Sequence, residues 1–536
     1  MSKKTKISGA TAPSGTQYVI ASRGGVSAIV SLDECTLGAT GYANKLAIQG
    51  YRMFDNADRK EFIEGVKAIK TYPNANIAER IGWADDGSTF AMPDGTIISG
   101  SKSGRVDYKT FLPKKVGLGK AGTQEGWLDT VAIPLSGLLL GEFMLIFPFV
   151  SPVMQFLPQL DNFGILLVAP KGKGKTTLLD CAASVIGGVK GAQGGPYWAL
   201  LNSTINALED HMETVRDHPL MLDDSSRALA TLDRKQAGQF MAGLAYLMEG
   251  GQPKARLGVK PPPKSRFTFV ITANAGMLDL YDKISGIDDA ALDRLLTIRV
   301  PEEWCHGTFE AIPKGYEHSP EFATALRAGA IENHGHAFRK FMKTLTKAVA
   351  KDRDGLLTKL EAHVSEFVRR AALLSTDGTD YRIVQAFAAI YAAGKLAVEF
   401  ESLPSIFKPG KTALAAYRLH LAERKSVKTP LERLEELAAS AQVLRIDERK
   451  DDSNLSAKAT ASLATLHSKS DRRELRIHPS KIEAALPGFN KANPNQAWRD
   501  LLIAGDGRHL AAKSTLAPGM DKERLYRFRL PLVAPD

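Results

Sequence analysis

Cysteine is scarce in this chain: Cys35, Cys181 and Cys305 are the only three among 536 residues, and no C-x-x-C pair occurs. A zinc ribbon needs thiols paired at short spacing and a disulfide framework needs many cysteines, so neither is expected, and a reducing, cytoplasmic setting is. Uninterrupted hydrophobic runs are missing too. The most apolar stretch, residues 131–160, is broken by Glu142 and by Pro134, Pro148, Pro152 and Pro158, whereas a membrane span needs about 20 apolar residues in a row. It reads as buried packing, with no membrane partner. The opening residues MSKKTKISGATAPSG carry cations with no apolar segment behind them, so 1–16 is expected to be a flexible leader and not a secretory signal. There is no GxSxG elbow and no HExxH pair, which leaves serine-hydrolase and metalloprotease chemistry without a foothold. Acidic charge is in deficit: 59 Asp and Glu face 70 Lys and Arg, a net +11, which favours a polyanionic partner, nucleic acid first.

What is present is an ordinary globular composition, 44% hydrophobic and 24% charged, in a chain long enough for roughly three domains. Short apolar runs (Tyr18–Ala21, Ala28–Leu32, Thr96–Ser99) around a charged helical stretch at Asp58–Lys70 suggest a small N-terminal α/β domain over 17–110. A basic, glycine-rich linker at Ser101–Lys120 leads to a central block, 121–400. Charged, periodic sequence and then Ser/Ala-rich sequence over 401–470 predict a helical linker with a hinge, and 471–536 a compact end piece.

Residues 164–177 read GILLVAPKGKGKTT. A buried strand, a glycine-rich loop and a helix opened by threonines give the context that a phosphate-binding P-loop requires. Ala169, Pro170, Lys171, Gly172, Lys173, Gly174, Lys175, Thr176 and Thr177 are therefore the expected ATP-binding residues. Lys175 supplies charge to the β- and γ-phosphates, and the Thr176 hydroxyl a ligand for Mg2+. Ala169 stands where the GxxxxGK[ST] pattern has its first glycine. The run His218–Asp224, HPLMLDD, ends in two carboxylates. Asp223 is expected to hold Mg2+, and Asp224 to polarise the attacking water, although many such enzymes have Glu at that second place. A strand at Phe267–Ala273 ends in Asn274, whose amide suits the water-orienting sensor of AAA+ ATPases. Arg294, before the strand Thr297–Val300, resembles their arginine finger, which acts on a neighbouring subunit's phosphate. The competing reading pairs Arg294 with Asp288 or Asp289, and leaves Arg299 as the finger. Arg382 is the candidate second sensor, in competition with Arg327, Arg339, Arg369 and Arg370.

Taken together, Gly82–Trp83, GTQEGW ending at Trp127, AASVIGG at 182–188, the segment Tyr197–Glu209, LMLDD and KLA at 395–397 resemble a DUF-class AAA+ ATPase family of bacteriophage, plasmid and chromosomal-cassette replication modules. The resemblance covers about 60–430. It implies an α/β AAA+ P-loop core, a parallel sheet flanked by helices, similar to minichromosome-maintenance helicases. It also implies a C-terminal winged helix and a homohexameric ring that unwinds DNA, with single-stranded and forked DNA and other replication proteins of the same element as partners. Ala169 and Asp224 are the departures.

In the helicases so resembled, a hairpin just before the sensor strand enters the DNA channel. Here 251–266, GQPKARLGVKPPPKSR, carries Lys254, Arg256, Lys260, Lys264 and Arg266 and no acid, which suits phosphate tracking. A solvated basic loop is the alternative. Arg339, Lys343, Lys347 and Lys351 form a second basic stripe, read as a solvated face with DNA contact as the other option. Over 441–536, 17 Lys and Arg face 12 Asp and Glu. There Arg499, Lys513, Arg524, Arg527 and Arg529 would meet phosphate if the end piece is a winged helix. The leading expectation is thus an ATP-dependent DNA helicase. The alternatives are an AAA+ ATPase that loads or remodels a partner helicase, and a non-hydrolysing, nucleotide-gated initiator.

Overall fold

A computed structural model of the chain describes residues 5–12, 14–36, 39–75, 77–84, 87–100, 109–110, 118–189, 199–200, 215–223, 234–251, 265–274, 294–374, 381–425, 430–446, 454–469, 471–486, 489, 494, 496–503 and 510–532. At the N-terminal end β1 (Lys6–Thr11), β2 (Gln17–Arg23) and β3 (Val26–Ser31) pair antiparallel in that order. Side chains alternate between faces. Val19, Ala21, Ala28 and Val30 meet Tyr42, Leu46 and Phe62 of the helices Ala39–Ile48 and Asn56–Lys67, and Tyr18, Ile20 and Ile29 meet Ile77 on the other side. β1 lies inside the expected flexible leader. Its KISGAT sequence has too little apolar alternation to announce a strand, yet Lys6–Thr11 pairs residue for residue with Gln17–Ser22.

Two further small sheets follow: β4 (Ile77–Ala78) beside β8 (Lys109–Thr110), and β5 (Gly82–Trp83), β6 (Thr89–Ala91) and β7 (Ile97–Ser99) in antiparallel order. Trp83, Phe90, Met92 and Ile98 join the large central core and not the N-terminal one. The Trp83 ring packs edge-on to Phe90 and Phe156, each at 5.3 Å, and its indole N–H donates to the Pro152 carbonyl at 2.8 Å. The stretch 17–110, expected as one domain, is therefore divided between two cores.

The central sheet contains β9 (Phe163–Val168), β10 (Ala199–Leu200), β11 (Leu220–Asp223), β12 (Thr268–Ala273) and β13 (Leu295–Arg299), all parallel, in the order β10-β11-β12-β9-β13. β9 and β12 are buried along their whole length, the pattern of a parallel strand covered on both faces. Helix Lys175–Ile186 packs on the helices Leu139–Ile146 and Ser319–Glu332, and helix Pro409–Lys425 lies against β13. The run Leu139–Phe156 is long and apolar enough to cross a membrane, but 89% of it is buried inside this fold. Pro148 and Pro152 divide it into short helical turns, Phe147–Phe149 and Val150–Val153.

The C-terminal unit differs from the expected winged helix. β14 (Val443–Ile446), β15 (Ala464–Ser468), β16 (Arg473–Ile477), β17 (Ala512–Ser514) and β18 (Glu523–Leu530) build one five-stranded sheet, ordered β14-β15-β16-β18-β17. Helix Gln496–Leu501 and the β17–β18 pair fall where a recognition helix and wing were expected, but the sheet extends three strands beyond them. β14 and β15 arise from 401–470, expected as a linker. The Ser/Ala-rich composition hid the short alternation Ala464-Thr-Leu-His-Ser, of which the first four residues are buried.

Candidate nucleotide site

The loop after β9 is shaped by glycine. Gly174 has φ 91°, in the left-handed region that favours glycine, and a Cβ there would stand 2.7 Å from the Thr308 hydroxyl. Lys171, Gly172 and Lys173 are exposed, Thr177 is buried, and Lys175 opens the helix with its side chain drawn inward. The Lys175 ammonium donates to the Ala169 carbonyl at 2.6 Å, the Pro170 carbonyl at 3.0 Å and Asn274 Oδ1 at 2.9 Å. β12 lies between β9 and β11, so Asn274, just past its end, reaches the lysine from one side while Asp223 faces Thr176 from the other. Thr176 Oγ1 donates to Asp223 Oδ2 at 3.1 Å, and Thr272 Oγ1 donates to Asp223 Oδ1 at 2.5 Å.

Lys175, Thr176, Asp223 and Asn274 thus meet at the C-terminal ends of three neighbouring strands, above a helix N-terminus whose free N–H groups favour anions. Thr272 was not read from the sequence. Its only signal is a hydroxyl one place before the end of an apolar strand. Thr308 was also missed: its N–H donates to the Lys173 carbonyl at 2.8 Å and braces the loop from a segment 135 residues downstream. Asp224 lies outside the described residues, as do Lys254, Arg256, Lys260 and Lys264.

The arginines are distributed differently from expectation. Arg294 precedes β13, at the opposite end of the sheet from Lys175, and pairs with Glu249 (Nε–Oε2 2.5 Å) at the end of helix Arg234–Gly250, where Arg382 also approaches Glu249 at 3.6 Å. Arg299, the alternative finger, is held by two bonds to Glu423 of helix Pro409–Lys425, at 2.7 and 2.8 Å. Arg327 pairs with Asp180, Arg370 with Glu366, and Arg339 with Asp94 at 2.6 Å. Arg339 therefore leaves the basic stripe, while Lys343, Lys347 and Lys351 remain exposed. Arg266, expected on the DNA hairpin, turns inward and donates to the Leu157 and Leu160 carbonyls at 2.9 and 2.6 Å. It fixes the scaffold. Arg527 is likewise tied to the buried Glu474 at 2.6 Å.

A second constellation precedes β11. Asp217 is 1% exposed with φ 56°, and its carboxylate accepts the Trp83 N–H at 3.0 Å. Gly82 permits this approach, since a Cβ there would sit 2.2 Å from Asp217 Oδ2. Burial pushes the Asp217 carboxyl up to about 6 against the pull of Arg216, Arg266 and Arg80, and burial pushes its neighbour His218 down to about 4.

This α/β fold, with a lysine, a threonine, a carboxylate and an amide gathered around a glycine-rich loop, can be set beside known proteins. Residues 31–260 match the family model described as a domain of unknown function, DUF927. No curated protein sequence matches the chain. Over 99% of its length the chain superposes on 94% of a solved structure described as "SCCmec type IV Cch - active helicase", with TM-score 0.69 and 16% identity, so the two share a fold. Two structures of JCV helicase, one of them with bound inhibitor, each align over 46% of this chain and 66% of theirs, at 12% identity and TM-scores of 0.19 and 0.23.

Proposed function

We propose that the chain is an ATP-dependent DNA helicase of the AAA+ class, a replicative or initiator helicase of a phage or other mobile element, acting as a homohexameric ring. One observation carries the reading: Lys175, Thr176, Asp223, Thr272 and Asn274 converge at the C-terminal ends of three neighbouring strands, beside the glycine-rich loop. The whole-chain likeness to a solved structure described as an active helicase supports it.

Thr176 and Asp223 would hold Mg2+, with ATP phosphates completing the shell, as is usual for this ion. When bound, it supplies positive charge that offsets charge building on the transferred phosphoryl group. Lys175 sits among three oxygens, and exchanging the two carbonyls for phosphate oxygens keeps its charge compensated. Asn274 would orient the attacking water, Asp224 would polarise it, and Arg294 would complete the site of a neighbouring subunit. Lys254, Arg256, Lys260 and Lys264 would follow the phosphates of one DNA strand.

Strand separation on a forked duplex, with ATP and with Lys175→Ala as control, tests the proposal. Unwinding by the wild type alone is expected. DNA-stimulated hydrolysis without unwinding would favour a loader or remodeller, and absent hydrolysis a nucleotide-gated initiator.

A further inference from the structure

We propose that Glu249 is the positioning residue for a nucleotide site shared between two copies of this chain: one carboxylate sets Arg294 and Arg382 side by side on the face that a second copy covers. The proposal rests on the reading of the chain as an oligomeric ATPase, and names the residue that organises its shared site.

β13 runs parallel to β9 in the register Gly164–Leu295 to Val168–Arg299. Arg294 therefore lies beside the start of β9, its carbonyl accepting the Gly164 N–H at 3.0 Å. Lys175 follows the other end of β9, more than five strand residues or about 16 Å away, farther than an arginine side chain extends. Arg294 cannot serve the nucleotide of its own subunit. It nonetheless lies against Glu249 as an ion pair without hydrogen-bond geometry at Nε, which is 2.5 Å from Oε2, with its guanidinium over the Tyr246 ring at 4.9 Å. Arg382 approaches the other carboxylate oxygen at 3.6 Å and is 65% exposed. Two guanidiniums this close repel unless an anion lies between them. Glu249 supplies that anion, beside the exposed rings of Tyr246 and Tyr381.

The platform under Glu249 is rigid. The buried Asn162 donates to the carbonyls of Met248 and Ser265, at 3.0 and 2.9 Å, and accepts the Phe267 N–H at 3.1 Å. One amide thus ties the end of helix Arg234–Gly250 to the starts of β9 and β12. Two arginines bordered by aromatic rings complement phosphate groups, and a nucleotide held on the loop 169–175 of another copy would present them.

Mixing variant subunits tests this. Glu249→Ala is expected to lower ATP turnover about 10- to 100-fold, the scale of a misplaced reacting group, with ATP affinity changed less than about twofold. Glu249→Gln, which keeps an acceptor without the charge, should fall between. When Glu249→Ala is mixed with the inactive Lys175→Ala, turnover should recover, because each Lys175→Ala subunit lends a well-placed Arg294 to a neighbour with an intact loop. Full activity of Glu249→Ala alone would overturn the proposal. So would failure of this mixture to recover while Arg294→Ala with Lys175→Ala does recover. If neither mixture recovers, the shared-site reading falls and takes the role of Glu249 with it.

Discussion

Asp223 is 6% exposed at the end of a buried strand, and a carboxylate withdrawn from water needs hydrogen bonds in place of those it has lost. Thr176 and Thr272 supply them from two different elements, so the orientation of the carboxylate is set by hydroxyls and not by its own backbone. Thr272→Val keeps the shape and removes one donor. A hydrogen bond to a charged group contributes about 1.5–3 kcal/mol, so turnover should fall about 10- to 100-fold with little change in ATP binding, read by steady-state hydrolysis beside nucleotide titration. Asp217 is the opposite case, a buried acid with too little compensation. Because its value stands at about 6 in the fold and 3.8 as the ordinary value, the folded state binds the proton more tightly, and stability declines as pH rises from about 4 to 6. Asp217→Asn removes the charge, keeps an acceptor for the Trp83 N–H and tolerates the positive φ. It should raise stability at pH 8 by up to about 3 kcal/mol, seen as a higher melting temperature, with the gain shrinking below pH 6 and gone near pH 4. A gain independent of pH would show that the charge is not its source.

Among elements, the strands buried on both faces were the legible ones. β9 and β12 are continuous apolar runs, and their flanking Gly174, Lys175 and Asn274 could be assigned from order alone. Strands of mixed composition, β1, β14 and β15, give no such run and read as leader, helix and hinge. The arginines were harder for another reason. A guanidinium's role depends on which carboxylate the fold brings to it, and Glu423 and Glu249 come from helices distant in sequence. Arg299 binds Glu423, itself 6% exposed, across the contact between β13 and helix Pro409–Lys425. Arg299→Ala removes two hydrogen bonds from that buried carboxylate and should cost about 2–4 kcal/mol. Replacing both partners by apolar residues should recover most of it, measured by denaturant unfolding. Loss of turnover without loss of stability would instead give Arg299 a catalytic part.

At the scale of the molecule, the excess of 11 positive charges is divided between cations spent on the fold and cations left for a partner. Arg266, Arg339 and Arg527 belong to the first group, each bonded to carbonyls or to a carboxylate inside the chain. Lys254, Arg256, Lys260 and Lys264 have no acidic residue in their own segment and are the cations proposed to meet DNA phosphate. Binding through phosphate releases counterions, so affinity falls with salt at a slope of about 0.7 per contact on a single strand. Replacing those four with alanine should therefore lower the magnitude of the log–log salt slope by about 2 to 3, if most of them contact phosphate, while the melting temperature stays near that of the wild type. Arg266→Ala should do the reverse. It would leave the carbonyls of Leu157 and Leu160 without their donor, lower stability by about 1–3 kcal/mol, and leave the salt slope of the folded protein unchanged. Titrations of single-stranded DNA between 50 and 200 mM salt, paired with unfolding curves, separate the two groups. An unchanged slope after the fourfold replacement would remove residues 251–266 from the proposed DNA path.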